Sequence, residues 1–197
     1  MKRAKSITDA KGGRRANAQC SMARAMAVVG DRWSILILRE AYYGTRRFDE
    51  FEYYIGVAPN ILSNRLKKFV DAGIMTRVPL PEHSSRYDYV LTDKGRDFFP
   101  AYLALKKWGD DWLAEPEGPQ VVFRERAAGR AIEYPKLQTS DGRPLRLEDV
   151  EVVAGRGAVA FNRKRFGGAE GALAGSDSGK GNPKRTLRSG RARQRRK

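Results

Sequence analysis

Apolar residues recur along the chain with two different periods, and the changes of period divide it into elements. Met22, Ala25, Met26 and Val29 fall at helical spacing, and Gly30 ends that segment. Asp31 is placed to cap a second helix through Trp33, Ile35, Leu36, Ile37 and Leu38. That helix is apolar nearly all round, which predicts a buried central position, and Gly44 closes it. The run Phe48 to Tyr53 predicts a short third helix ending at Gly56. There, Asp49 as N-cap with Glu52 three residues on has the form of a capping box, and Phe48 and Tyr53 have the spacing of a hydrophobic staple. Pro59 presets the first turn of a fourth helix over 59–72, although Ala58 before it is a poor cap. Leu62, Leu66, Phe69 and Val70 form its apolar stripe, and Gly73 is a suitable left-handed stop. Ile74 to Val78 predicts a strand, Pro79 to Ser85 a loop, and Arg86 to Leu91 the returning strand of a hairpin. Thr92 or Asp93 starts a last helix carrying Phe98, Phe99, Tyr102, Leu105, Trp108 and Trp112, which Pro100 should kink or split.

This order of elements predicts a winged helix-turn-helix: a mainly α, α+β fold with a β-hairpin wing. The third and fourth helices form the helix-turn-helix pair. The fourth is the candidate for the major groove, with Pro59, Asn60, Ser63, Asn64, Arg65, Lys67 and Lys68 as its DNA-binding set. Asn60, Ser63 and Asn64 sit near its N-terminus, where base-edge contacts fall, and asparagine can pair bidentately with adenine. Lys67 and Lys68 are better placed for phosphates. Ser84, Ser85 and Arg86 stand at the wing tip, where an arginine can enter a narrow minor groove. A basic amphipathic helix taken alone is usually only a solvated face. The ordered combination of turn, basic helix and Arg-bearing hairpin favours the DNA reading. Winged helices also serve as protein-binding modules, so the fold by itself does not settle function.

Charge modifies this picture. The 197 residues carry a net charge of +16, with a pI near 10.3, which points to a polyanionic partner. The excess is concentrated at the ends. Residues 1–19 are net +5, 20–115 are +1, 116–160 are neutral and 161–197 are +10. The expected organisation is a disordered basic arm over 1–19, a winged-helix and dimerisation domain over 20–115, a small β-rich appendage over 116–160, and a disordered basic tail over 161–197. No apolar run approaches the roughly 18 residues that span a bilayer, and the N-terminus lacks the apolar core of a signal peptide. With a single cysteine there can be no internal disulfide framework and no multi-thiolate zinc site. A reducing cytoplasm and association with the nucleoid are expected.

Several motifs resemble those of HxlR-type bacterial transcription regulators, which share a MarR-like fold. They are the stretch from Cys20 to Glu40, Arg46-Arg47-Phe48-Asp49-Glu50-Phe51, Ala58-Pro59-Asn60-Ile61-Leu62-Ser63-Asn64-Arg65-Leu66, Asp71-Ala72-Gly73-Ile74, and Tyr87-Asp88-Tyr89-Val90-Leu91-Thr92-Asp93-Lys94-Gly95. The resemblance covers residues 20 to about 113. It implies a homodimer on an inverted-repeat operator, held mostly by the terminal helices, with Pro59–Lys68 as recognition helix and 76–92 as wing. Members repress or activate nearby genes, often for detoxification of reactive carbonyls or electrophiles. Cys20 matches the position at which several members sense electrophiles or oxidants; the plain alternative is a small buried hydrophobe. Residues 120–157 resemble an appendage of one branch, where paired cysteines suggest a zinc-ribbon-like fold. Here those cysteines are absent, so no metal is expected, and Val121–Phe123, Glu133–Leu137 and Val150–Val153 are the expected strands.

Dimerisation also has support from the residues themselves. One domain of this size cannot bury the aromatics of the last helix together with the Met22–Val29 stripe. Met22, Met26, Phe98, Tyr102, Leu105, Trp108 and Trp112 are therefore the expected dimer contact. The leading reading is a homodimeric, sequence-specific regulator on double-stranded DNA, needing no cofactor and open to a small-molecule effector. The alternative is a nucleoid- or RNA-associated protein that binds non-specifically through its tail. Enzymatic activity is not expected: the one histidine, His83, falls in the predicted wing loop, with no nucleophile elbow, P-loop or metal cluster.

Overall fold

The computed structural model describes residues 18–80 and 83–167, the side chains of 83–85 excepted. The expected basic arm falls almost wholly outside the described residues, as does most of the expected basic tail. Two compact units divide the chain, 1–151 and 152–197.

In the first unit α1 (Ser21–Val29), stopped by Gly30, is followed by α2 (Arg32–Tyr43). Asp31 caps α2 as expected, accepting from the Ser34 N–H at 3.0 Å and the Ser34 hydroxyl at 2.7 Å. The helix α3 (Phe48–Ile55) begins two residues earlier than an Asp49 cap predicts. Its N-cap is Arg47 rather than Asp49, because the Glu50 carboxylate reaches back to the Arg47 N–H at 3.3 Å. The expected staple does not form: Phe48 packs on the core while Tyr53 is 82% exposed. After the left-handed Gly56 comes α4 (Pro59–Asp71), with Pro59 in its first turn.

Leu62, Leu66 and Phe69 of α4, Ile37 and Leu38 of α2, and Phe51 of α3 are fully buried and form the centre of the core. Burying each such side chain contributes roughly 1.5–3 kcal/mol, so this stripe is what fixes α4 to the domain.

The strands β1 (Met75–Leu80) and β2 (His83–Leu91) pair antiparallel, from Met75 with Leu91 to Leu80 with His83, with an irregularity at Pro79/Leu80. Both strands run farther than expected, and the connection is correspondingly tighter. Pro79 is tolerated because the described sheet has only two full strands. An isolated bridge between Arg47 and Asp88 and a bond from Tyr89 N–H to the Arg46 carbonyl (2.8 Å) tie the wing to the start of α3.

Thr92 caps α5 (Asp93–Asp97), and its hydroxyl also donates to the Gly73 carbonyl at 2.6 Å. Gly95 lies against the main chain: a Cβ built there would stand 2.3 Å from the Ile74 carbonyl oxygen. The expected split near Pro100 occurs at Phe98, which separates α5 from α6 (Phe99–Trp112).

The segment after α6 differs from expectation. Among the described residues, 116–151 contain isolated bridges, Arg124 with Ala131 and Gln138 with Pro144, and one 3₁₀ turn (Leu147–Asp149), with no full strand. Two tight turns with left-handed glycines, Gly129 and Gly142, organise it. The Arg130–Glu125 ion pair (2.8 Å) closes the first, and Thr139 N–H to the Arg143 carbonyl (2.9 Å) closes the second. The valine runs expected as strands have no neighbouring strand to satisfy their backbone groups.

In the second unit, α7 (Ala160–Phe166) makes residues 161–166 helical, contrary to the expectation of disorder from 161 onward. Arg163 donates to the Ala158 carbonyl at 2.7 Å, and the Arg165 guanidinium lies 4.7 Å from the Phe166 ring centre. These local contacts give the short helix partners that composition alone does not reveal.

Candidate nucleic-acid interface

The apolar stripe of α4 faces the core, so helix geometry aims the opposite face at solvent. Pro59, Asn60, Ser63, Asn64 and Lys67 are all exposed. The Asn60 carboxamide oxygen accepts from the Ile61 N–H at 2.9 Å, which leaves its amide donors outward. Lys67 pairs with Asp71 at 2.6 Å, one turn on, across an exposed surface.

Arg65 and Lys68 behave differently. Arg65 Nε stands 3.0 Å from Asp31 Oδ1, and Lys68 Nζ stands 3.8 Å from Asp31 Oδ2. Both were expected among the DNA-binding residues, yet both turn back onto the cap of α2. Asp31 thus caps one helix and clasps another. Its partial burial would raise the carboxyl pKa, but the Ser34 hydrogen bonds and the two cations outweigh this and hold it below the usual value of 3.8.

On the wing, Arg86 is exposed, and the side chains of Ser84 and Ser85 lie outside the described residues. Between the wing and the start of α3 is an open cleft of about 330 Å³, lined by Arg47, Phe48, Asp49, Leu80, Arg86, Tyr87 and Tyr89. Arg47 and Arg86 therefore border one concavity. Arg77 is exposed on β1, with its guanidinium 5.7 Å from the Tyr87 ring centre. Arg47 and Arg77 were missed by the sequence reasoning. The signal for Arg47 was available in the Arg46-Arg47 pair just before α3, where a cation approaches the wing once β2 bridges back.

The expected dimer residues separate into two groups. Tyr102 is buried at 5% exposure and Phe98 packs on the protomer core, so both are used internally. Tyr102 contacts the rings of Tyr42 (5.1 Å) and Phe123 (6.2 Å), and burial raises its hydroxyl pKa. Phe123, contributed by the segment after α6, is the partner that one-dimensional reasoning did not supply. Met22, Met26, Leu105, Trp108 and Trp112 remain exposed, at 48–74%. Cys20 is half-buried as the N-cap of α1.

Among the described residues, no group of three or more His, Cys, Asp or Glu could hold a metal ion, and no helix is long and apolar enough to cross a membrane.

The family model for HxlR-like helix-turn-helix proteins matches residues 28–117. The uncharacterized HTH-type transcriptional regulator Rv3095 of Mycobacterium tuberculosis is 38% identical over 140 residues, 71% of this chain and 89% of its own length. The chain belongs to the HxlR-like family. It is a helix-turn-helix transcriptional regulator, with a winged-helix DNA-binding fold. Two solved structures of proteins assigned as transcription factors are similar to it. PA1607 has 41% identity and a TM-score of 0.64, covering 71% of this chain and 97% of that one. PA1374 of Pseudomonas aeruginosa has 40% identity and a TM-score of 0.52, covering 75% and 100%. Only 27 residues precede the family match, so a likeness of 140 residues must run well past residue 117. This HxlR-like chain and its relative are thus similar into the segment that follows α6.

Proposed function

We propose that the protein acts as a homodimer that reads an inverted-repeat operator, each protomer placing α4 in the major groove and the wing beside it. The observation that carries this reading is the outward face of α4. Asn60, Ser63 and Asn64 present uncommitted hydrogen-bonding groups, while the cations on the same helix are tied up by Asp31 and Asp71. An interface built for non-specific attraction would leave the cations free and would not need amides. The exposed Met22 and Met26 of α1 and Leu105, Trp108 and Trp112 of α6 support a dimer contact, since water-facing tryptophans favour an apolar cover. Binding DNA, rather than catalysis, is the proposed activity.

Footprinting on the DNA adjoining its own gene tests the reading. A protected inverted repeat with half-sites about one helical turn apart, or a multiple of it, is expected. Uniform protection that disappears when the chain is truncated after Gly167 would support non-specific binding through the tail instead.

Cys20 adds a regulatory reading. Cys20 is half-buried and two residues before Met22 of the proposed dimer contact, so alkylation or capping there would disturb that contact and release DNA. Loss of operator binding on treatment with an electrophile, abolished in Cys20→Ser, is the expected result.

A further inference from the structure

We propose that the cleft between α2, α6 and the segment 113–121 is a binding site for a small organic cation with an aromatic body. The cleft has a volume of about 560 Å³, within the range of small-molecule sites. It differs in three respects from the rest of this basic protein.

First, its charges are nearly all spent. Arg39 pairs with the buried Glu40 at 2.7 Å, and Lys106, only 11% exposed, pairs with Asp110 at 2.5 Å. The remaining charge in the lining is Glu115, which has no ion pair among the described residues. In a chain of net charge +16 this cleft therefore has one carboxylate in excess. An anion would meet three carboxylates and two cations already engaged. A cation would meet an uncompensated acceptor.

Second, three of the lining residues offer apolar, partly water-facing surface beside these polar groups. Tyr43 is 40% exposed, Leu113 71% and Val121 40%. They offer surface to a flat hydrophobic body, and an aromatic ring such as Tyr43 also attracts cations.

Third, the floor is opened by a glycine. Gly109 of α6 lines the cleft, and a Cβ built there meets no heavy atom within 4 Å. By helix geometry Lys106 and Asp110 of the lining point at least about a quarter-turn away from Leu105, Trp108 and Trp112, while Gly109 stands between the two faces.

The site has a physical connection to the DNA-reading helix. Arg39, Glu40 and Tyr43 are on the last turns of α2, and the cap at the other end of α2, Asp31, holds Arg65 and Lys68 of α4. A ligand that shifts α2 would therefore pull on α4. That regulatory meaning rests on the DNA-binding reading above; the binding itself does not.

The test uses the ¹⁵N-labelled full chain without DNA, titrated with benzyltrimethylammonium chloride and, separately, sodium benzoate. Saturable millimolar binding of the cation is expected, with the Gly109 and Glu115 amide signals moving most. Binding should weaken at least tenfold in Gly109→Leu, which fills the cleft, and several-fold in Glu115→Gln. Benzoate should not bind. An unaltered thermal transition and unaltered operator footprint in both variants show that they are folded and separate this site from the DNA interface. No movement of these signals, equal binding of benzoate, or unchanged cation binding in Gly109→Leu would overturn the proposal. Failure of the footprint in the unsubstituted protein would overturn the inverted-repeat operator reading and leave this one standing.

Discussion

Replacing Asp31 by asparagine should separate the two tasks this carboxylate performs. Asparagine caps a helix as well as aspartate does, so the bond from the Ser34 N–H survives. What disappears is the charge facing Arg65 at 3.0 Å and Lys68 at 3.8 Å. These side chains are about one-third exposed, 30% for Asp31, 32% for Arg65 and 35% for Lys68, so water screens each pair. Such pairs are worth roughly 0.2–1 kcal/mol each, which puts the loss in Asp31→Asn near 1 kcal/mol. Asp31→Ala removes the cap as well, at a further cost of about 1 kcal/mol. Urea unfolding at fixed protein concentration measures both. The pH dependence gives a second check. The folded carboxyl titrates below its usual value of 3.8, so its stabilising contribution is complete above that pH and is lost as the pH falls through the lowered value. The gap between the native protein and Asp31→Asn should therefore be constant from neutrality to about pH 5 and close in strong acid. DNA binding gives a third. Arg65 and Lys68, once released, can reach phosphates, which would steepen the salt dependence of non-specific binding by up to about two units. Equal stability of Asp31→Asn and the native protein at neutral pH, or an unchanged salt slope, would refute the clasp.

Three further outcomes follow from the same geometry. Asn64→Ala or Ser63→Ala should reduce preference for the operator over random DNA by about 1–3 kcal/mol per lost base contact, measured by competition binding; an equal fall for both DNAs would show that these side chains do not read bases. Arg86→Ala should weaken both kinds of binding and flatten the salt slope by about one unit, and an unchanged slope would remove it from the phosphate contacts. Gly95→Ala should destabilise the fold by about 1–3 kcal/mol or more, because the new methyl meets the rigid Ile74 carbonyl at 2.3 Å; a thermal transition within a degree of the native one would show that the main chain can yield there.

What was legible in the sequence was local. The Asp31 cap, Pro59 in the first turn of α4, the stops at Gly44, Gly56 and Gly73, and the break before Pro100 each depend on residues within one turn of each other. The outward face of α4 was legible too, because a buried stripe at helical spacing determines which side remains. What was not legible depended on distant partners. Arg65 is 34 residues from Asp31, and nothing in the spacing of α4 says that two of its cations face backward. Nothing in the spacing of α2 says that Glu40 is buried, with Arg39 and Thr45 bonding its carboxylate. Tyr102 was expected at a dimer contact because its cover, Phe123, comes from a segment with no periodic signal. The strands expected after α6 failed for a related reason: valine runs have strand propensity, but a strand also needs a neighbour.

These intramolecular pairings change what the basic composition means. Residues 20–115 are almost neutral at +1, and many of their cations are already committed: Arg39 to Glu40, Arg65 and Lys68 to Asp31, Lys67 to Asp71, Arg96 to Asp93, Lys106 to Asp110 and Lys107 to Asp111. An exposed pair such as Lys67–Asp71 costs little to exchange for a phosphate, since it is worth well under 1 kcal/mol. The Asp31 clasp costs more, because opening it also loosens the seat of α4. On the DNA-binding reading proposed above, phosphate attraction would fall to cations without such a partner, Arg86 and Arg77 of the wing among them, and to the chain ends, where the charge excess lies. Attraction of that kind brings the protein to any DNA. On the operator reading proposed above, discrimination comes from amides and a hydroxyl on a helix whose own cations hold it in place, so the paired charges would govern orientation and the exposed neutral groups would carry the sequence information.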